Sequence, residues 1–196
     1  MKKIIAIAAL AAVGATCYGI TTTQSLYYGS AGLAVEKDGE VVEYEINGIG
    51  VRGVTCPADT GFYYGADLYS AFPWVGINVN GESDEFLADE DLYLSFKAPL
   101  GYRWPAKNSR IGLYVGGGPS VQLLTDIENS VLVTFGGFGE VGLQTNKTDG
   151  LGFHLGLQLG YCPVMYRGGD TVDWDDESVH AMLQIGVSWR RTAENR

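Results

Sequence analysis

Between Leu151 and Tyr161 every second residue is large and apolar. Leu151, Phe153, Leu155, Leu157, Leu159 and Tyr161 alternate with Gly152, His154, Gly156, Gln158 and Gly160. A helix repeats near 3.6 residues, so a period of two over this length dictates an extended strand with two unlike faces. The split returns from Leu92, where Leu92, Leu94, Phe96, Ala98, Leu100, Tyr102 and Trp104 oppose Tyr93, Ser95, Lys97, Pro99, Gly101 and Arg103. It returns again at Val179, Ala181, Leu183, Ile185, Val187 and Trp189. Weaker versions cover Leu26 to Val35, Val41 to Val54, Thr60 to Ala71, Ile111 to Leu124 and Val131 to Thr145, which makes eight strands. Asp38-Gly39 is a two-residue hairpin signal, since a type I′ turn needs positive φ at both positions. Pro99 and Pro119 fall inside strands and are expected at bulges, because proline cannot donate to a ladder. Val75, Ile77 and Val79 also alternate, so the third strand is expected to project beyond its neighbours.

The character of the second face decides what surrounds these strands. Glycine supplies 28 of 196 residues, about twice its usual share, and it concentrates on that face, at Gly101, Gly112, Gly116, Gly118, Gly136, Gly142, Gly152, Gly156, Gly160 and Gly186. A water-facing surface would carry Lys and Glu instead. A crowded narrow lumen explains small residues, and the large apolar ones then face lipid. Strands of this length match the ~9 to 11 tilted residues that cross a bilayer. Tyr102, Trp104, Tyr161 and Trp189, near strand ends, are expected to form interfacial aromatic belts. The alternative is a soluble periplasmic ligand-binding barrel with the two faces reversed.

Two links are long, Phe72 to Asp91 and Tyr166 to Glu177. With strands running up and down, both fall at the same end, as the external loops of a membrane barrel do. That end is also acidic, with Glu82, Asp84, Glu85, Asp89, Glu90, Asp91, Asp126, Glu128 and Asp170 among its residues, whereas most basic residues lie at the other end. The net charge of −10 argues against nucleic acid as a partner. Lys2 and Lys3, the apolar run from Ile4 to Val13 and the small residues Val13-Gly14-Ala15 form an export signal, expected over residues 1–15. Lipoprotein processing at Cys17 is the competing route. The remaining chain divides into a lead at 16–25, a barrel at 26–190 and a tail at 191–196. Cys56 and Cys162 fall at opposite ends of this topology, so no disulfide is expected.

The strand count, the loop parity, the stretch Tyr114-Val115-Gly116-Gly117-Gly118 and a final alternating strand ending at Trp189 resemble the small eight-stranded outer-membrane β-barrel family, of the OmpA transmembrane-domain and OmpX type. The resemblance covers roughly Leu26 to Trp189. It implies an all-β, antiparallel, up-and-down transmembrane barrel in a bacterial outer membrane, monomeric, surrounded by membrane lipids and lipopolysaccharide. One departure is the tail, Arg190 to Arg196, which follows the aromatic where the family's last strand usually ends the chain.

Charges on the small face need partners, because a buried ion alone is costly. Arg52, Asp67, Lys97, Arg103 and Glu140 are expected to form a lumen ion-pair cluster in which Glu140 meets Lys97, Arg103 or Arg52. His154 and His180 share that face on neighbouring strands. Pairing through the last link sets His180 opposite about residue 163, roughly 30 Å from His154 at ~3.3 Å per residue, too far for joint catalysis. No catalytic residue, resident metal or cofactor is expected. Asp173, Asp175, Asp176 and Glu177 are weak candidates for a divalent cation and read better as a solvated acidic loop. The expected function is a structural or surface-binding, adhesion-like role through acidic external loops, with an external ligand there. The alternative is a narrow porin-like channel gated by the ion-pair cluster.

Overall fold

The computed structural model describes residues 21–37, 40–56, 61–71, 77–79, 92–105, 111–125, 131–145, 151–167 and 177–192, all strand apart from a few irregular positions. The strands are β1 (Thr21–Lys37), β2 (Glu40–Thr55), β3 (Gly61–Ala71), β4 (Ile77–Val79), β5 (Tyr93–Lys97), β6 (Leu100–Pro105), β7 (Ile111–Thr125), β8 (Val131–Thr145), β9 (Leu151–Arg167) and β10 (Glu177–Thr192). The expected export signal, the acidic residues 80–91, and Asp173, Asp175 and Asp176 lie outside the described residues, as do Asp38 and Gly39. Lys37 pairs with Glu40 across that two-residue link.

Every pairing is antiparallel, and β3 returns to pair with β2, so the sheet closes on itself. The ten segments make eight staves. β4 pairs with Tyr44, Glu45 and Ile46 of β2, farther along the edge that β3 already occupies, so the third stave does extend outward. β5 and β6 form one stave across residues 98–99.

The prolines there correct an expectation. No bulge occurs at Pro99 or Pro119, because the pairings on both sides of them keep a single register. Pro99 O still accepts from Gly65 N at 3.0 Å, and Pro119 O accepts from Ala98 N at 3.1 Å. Each proline removes one donor from a two-bond pair and nothing more. The register shift lies elsewhere, between Phe135 and Gly137 of β8, where β9 carries Cys162 and Pro163.

Following one ladder around the barrel from Glu45 passes Gly32, Ala181, Leu159, Gly139, Gly117, Leu100 and Tyr64, and returns to β2 at Thr55. That is a stagger of ten residues. With eight strands it sets a tilt of about 40° and an interior only wide enough for side chains.

The faces divide as periodicity requires. Leu151, Phe153, Leu155, Leu157 and Leu159 are exposed, as are Leu183, Ile185 and Val187, while Gln158, Gln184, His154 and His180 are buried. A continuous exposed apolar band is incompatible with water and suits lipid. The reversed-face arrangement therefore does not hold. Thr21 at the start of β1, Thr192 at the end of β10 and the strand ends joined by three five-residue links mark one end, called inner below; the links after β1, β3, β7 and β9 mark the outer end.

Many inward glycines answer to single large side chains. A Cβ at Gly50 would overlap the Tyr27 ring, one at Gly101 or Gly116 the Tyr63 hydroxyl, one at Gly142 the Tyr114 hydroxyl, and one at Gly160 the His180 ring. The lumen is filled by a few bulky groups, and glycine opposite each makes the room.

Candidate functional site

The stagger of the strands brings residues distant in sequence to one level of the lumen. Arg52 of β2 donates from Nη1 and Nη2 to the two carboxylate oxygens of Glu140 on β8, both at 2.6 Å. A bidentate fork of this kind is the strongest geometry an ion pair adopts. Asp67 of β3, the ladder partner of Arg52, lies 3.5 Å from Nη1. Tyr63 donates to Glu140 at 2.6 Å, Tyr27 to Asp67 at 2.5 Å, and Gln158 Nε2 lies 3.0 Å from Asp67 and 3.2 Å from Glu140. The guanidinium also sits over the Tyr114 and Tyr63 rings, at 5.0 and 5.8 Å. Gln184 Nε2 lies 3.3 Å from Asp67, so two carboxylates, one guanidinium and four neutral donors form one layer across the barrel.

The other two sequence-identified cations each donate to a neutral side chain. Lys97 donates to Gln158 Oε1 at 2.5 Å and lies over the Phe138 ring, so it reaches the carboxylates through the Gln158 amide. Arg103, nearer the inner end, donates to Thr23 Oγ1 at 3.2 Å. Of the three cations considered for Glu140, the structure places Arg52 there. Just inward of the pair is a cavity of about 10 Å³ bordered by Arg52, Tyr63, Arg103, Tyr114 and Gln144, room for about one water.

Sequence reasoning missed the neutral members, Tyr27, Tyr63, Gln158 and Gln184. Their inward parity was visible. Their common level was not, because it depends on the ten-residue stagger.

The histidines need a correction too. His180 pairs with Gly160, not with a position near 163, so along β9 it lies six residues from His154, roughly 20 Å. Their surroundings differ. His154 Nε2 is 3.1 Å from Gln184 Oε1, with its ring against Tyr27 and Tyr114. His180 Nδ1 is 2.7 Å from Gln122 Nε2.

Outward of the charged layer one wall becomes apolar. Ala31, Leu33 and Val35 of β1, Ile46 of β2, and Tyr69 and Ala71 of β3 pack with Tyr93, Leu124, Leu132 and Met182 into one buried cluster. On the outside of the barrel, Tyr102 and Trp104 are exposed at the inner end of β6, with Phe62 edge-on to Tyr102. Trp189 donates to Gln24 at 2.7 Å at the same end. Tyr161 lies farther out and donates to Glu177 at 2.5 Å. Glu177 is the one described member of the acidic candidates, and among the described residues no three His, Cys, Asp or Glu side chains converge on a metal position. Cys56 and Cys162 are buried and form no disulfide with each other.

No family model matches the sequence, and no curated protein does so either. Solved structures do match in shape. The outer membrane protein OprG of Pseudomonas aeruginosa superposes with a TM-score of 0.56 at 14% identity, over 89% of this chain and 97% of its own. Neisserial surface protein A gives 0.55 at 14%, over 86% and 95%. The outer membrane protein AlkL gives 0.52 at 12%, over 91% and 93%. A closed antiparallel ring of eight staves, an apolar exterior and these superpositions agree: the chain has the fold of the small eight-stranded outer-membrane β-barrels.

Proposed function

We propose that this chain is a closed outer-membrane barrel that acts through the acidic segments at its outer end, in contact with lipopolysaccharide and with ligands outside the cell. The carrying observation is the filled lumen. The Arg52–Glu140 fork spans it, Tyr63 and Gln158 donate further to Glu140, Tyr27 and Gln158 donate to Asp67, and an apolar cluster lies farther out. Such an interior provides rigidity, which leaves the outer links as the place where partners are met. Those links hold Glu82, Asp84, Glu85, Asp89, Glu90 and Asp91 in one and Asp170, Asp173, Asp175 and Asp176 in another. Hard carboxylate oxygens suit calcium or magnesium bridging to lipid phosphate, or a cationic surface.

Two measurements test this reading. In planar bilayers the wild type should give no steady conductance, and cells displaying it should bind divalent cation or a cationic partner less when residues 82–91 are replaced by a Gly/Ser linker. Steady wild-type conductance that changes in Lys97→Ala or Glu140→Ala would instead establish the gated channel.

A further inference from the structure

The apolar exterior does not keep one height around the barrel. Toward the outer end, the outward-facing residues of the β5, β7, β8, β9 and β10 staves stay apolar or glycine as far as Leu92, Leu123, Val131, Pro163 and Val179. On β2 the outward row reads Ile49, Asn47, Glu45 and Glu43, with both glutamates exposed. Asn47 pairs with Ser30 of β1, and Ile49 with Ser70 of β3, so the polar flank is three strands wide.

A common level for these residues comes from the stagger. Going round the ladder from Glu45 to Thr55 moves inward by about 1.25 residues at each strand. By that measure, and to within about one residue, Asn47 is level with Leu94, Val121 and Tyr161, and Glu45 with Leu92, Leu123 and Val133. Carboxylates thus stand at a height where the rest of the wall is still leucine and valine. A charge held in hydrocarbon is costly, so the boundary of the hydrocarbon belongs lower on this flank.

Two tyrosines mark the same difference independently. Tyrosine gathers where hydrocarbon meets headgroups, with its ring in the one and its hydroxyl in the other. On the tall side the exposed Tyr161 donates outward to Glu177 at 2.5 Å, and on the short side the exposed Tyr28 donates outward to Asn47 at 2.9 Å. The second pair lies about 3.5 residues farther in than the first, roughly 9 Å along the axis at ~3.3 Å per residue and a tilt of about 40°.

Tilting the whole barrel does not level the band. Its inner edge is already even, since Phe62, Trp104, Ile111, Leu151 and Trp189 lie within about two residues of one height. A seat for another chain within the membrane would be enclosed by apolar residues. This row instead opens outward, past Val41 to Glu36 and Glu177, which pair with each other at the rim.

We infer that the outer leaflet is drawn down by about 9 Å along the β1–β2–β3 flank, so that its headgroup layer rests on Ser30, Asn47, Glu45 and Glu43 while the other staves span a bilayer of ordinary thickness. A wall with a short apolar stretch is accommodated by thinning of the bilayer, at a modest cost per ångström. The flank is therefore a docking surface whose partner is a lipid surface. This inference concerns the outside of the wall and stands whatever the outer links bind.

Solid-state NMR of the wild-type barrel in phosphatidylcholine bilayers doped with a gadolinium-headgroup lipid tests it, because paramagnetic relaxation falls steeply with distance from the headgroups. Relaxation at the Asn47 amide should match that at Glu177 and exceed that at Leu94 and Val121 several-fold. Phe62 and Leu151, at the inner edge of different flanks, should relax alike. Equal rates at Asn47, Leu94 and Val121 would overturn the inference by showing a flat boundary. A gradient between Phe62 and Leu151 as steep as the one at the outer edge would overturn it in favour of tilt. A rate at Asn47 below that at Val121 would overturn it as well, by placing a second copy of the barrel over the flank.

Discussion

The middle and the outer half of the lumen are built from the same kinds of side chain, arranged to opposite effect. At the level of Arg52, both Glu140 oxygens and both Asp67 oxygens accept hydrogen bonds, from arginine, tyrosine and glutamine donors. Farther out, the Thr134 and Ser178 hydroxyls and Nε2 of His180 have no hydrogen-bond partner in the protein, on strands that also carry the buried Leu132 and Met182. A saturated network is rigid and fails badly when one member is removed. An unsaturated one has less to lose when a member is removed. The difference teaches that closure of this barrel resides in one layer of charge, while adaptability resides toward the outer mouth.

The harshest way to break that contrast is to orphan the arginine. Glu140→Ala leaves Arg52 buried against Asp67 alone at 3.5 Å, and breaking a buried pair this way costs about 3–5 kcal/mol. Urea unfolding in lipid vesicles should show that loss. The double variant Arg52→Met/Glu140→Leu should recover part of it, because the two removed charges cancel, while Asp67 keeps only its tyrosine and glutamine donors. A loss below about 1 kcal/mol for Glu140→Ala would mean that the layer is hydrated and that the two halves of the lumen are alike.

The exterior sets the next scale. Leu157 is exposed on β9, one position from Gln158, which contacts both lumen carboxylates. Leu157→Arg should cost about 2–4 kcal/mol in vesicles if that face lies near the bilayer midplane. A neutral result would detach the apolar band from lipid.

This contrast between neighbours also shows what the sequence made legible. Parity alone separated Leu157 from Gln158, and it located Arg52, Asp67, Lys97, Arg103 and Glu140 on the inner face. It could not say which cation Glu140 takes, since that follows from the stagger, which is a property of closure and not of any one strand. The histidine spacing came out three residues too long for a related reason. β10 begins at Glu177 and pairs Ser178 with Cys162, while β9 runs on to Arg167, so the two strands meet with an offset that loop length alone did not imply. Pro163 escaped notice while Pro99 and Pro119 drew the expectation of bulges. A proline tells where a donor is missing, not whether the register shifts.

Glycines offer a finer test of the same division. Gly160→Ala would drive a methyl into the His180 ring, whereas a Cβ at Gly139 meets nothing nearer than Gly116 O at 3.9 Å. Overpacking typically costs about 1–3 kcal/mol, so Gly160→Ala should lower the urea midpoint clearly and Gly139→Ala hardly at all. Similar effects at both sites would show that these glycines serve strand geometry and not the packing of the lumen.

The smallest expected effect concerns the prolines, and it isolates the ladder from the lumen. Ala98 N donates to Pro119 O at 3.1 Å, and the return bond is missing because Pro119 has no N–H. Pro119 itself is exposed on the lipid side, where no water can compensate a bare carbonyl. Pro119→Ala restores the donor opposite Ala98 O without touching any lumen side chain. One backbone hydrogen bond contributes about 0.5–1.5 kcal/mol net, and the freer unfolded chain offsets about 0.4–1 kcal/mol of it. The variant should therefore be unchanged or more stable by less than about 1 kcal/mol, with the Arg52–Glu140 layer unaffected. A marked loss would mean that proline holds β7 in a bend the barrel needs at this level, beside the β8–β9 register shift.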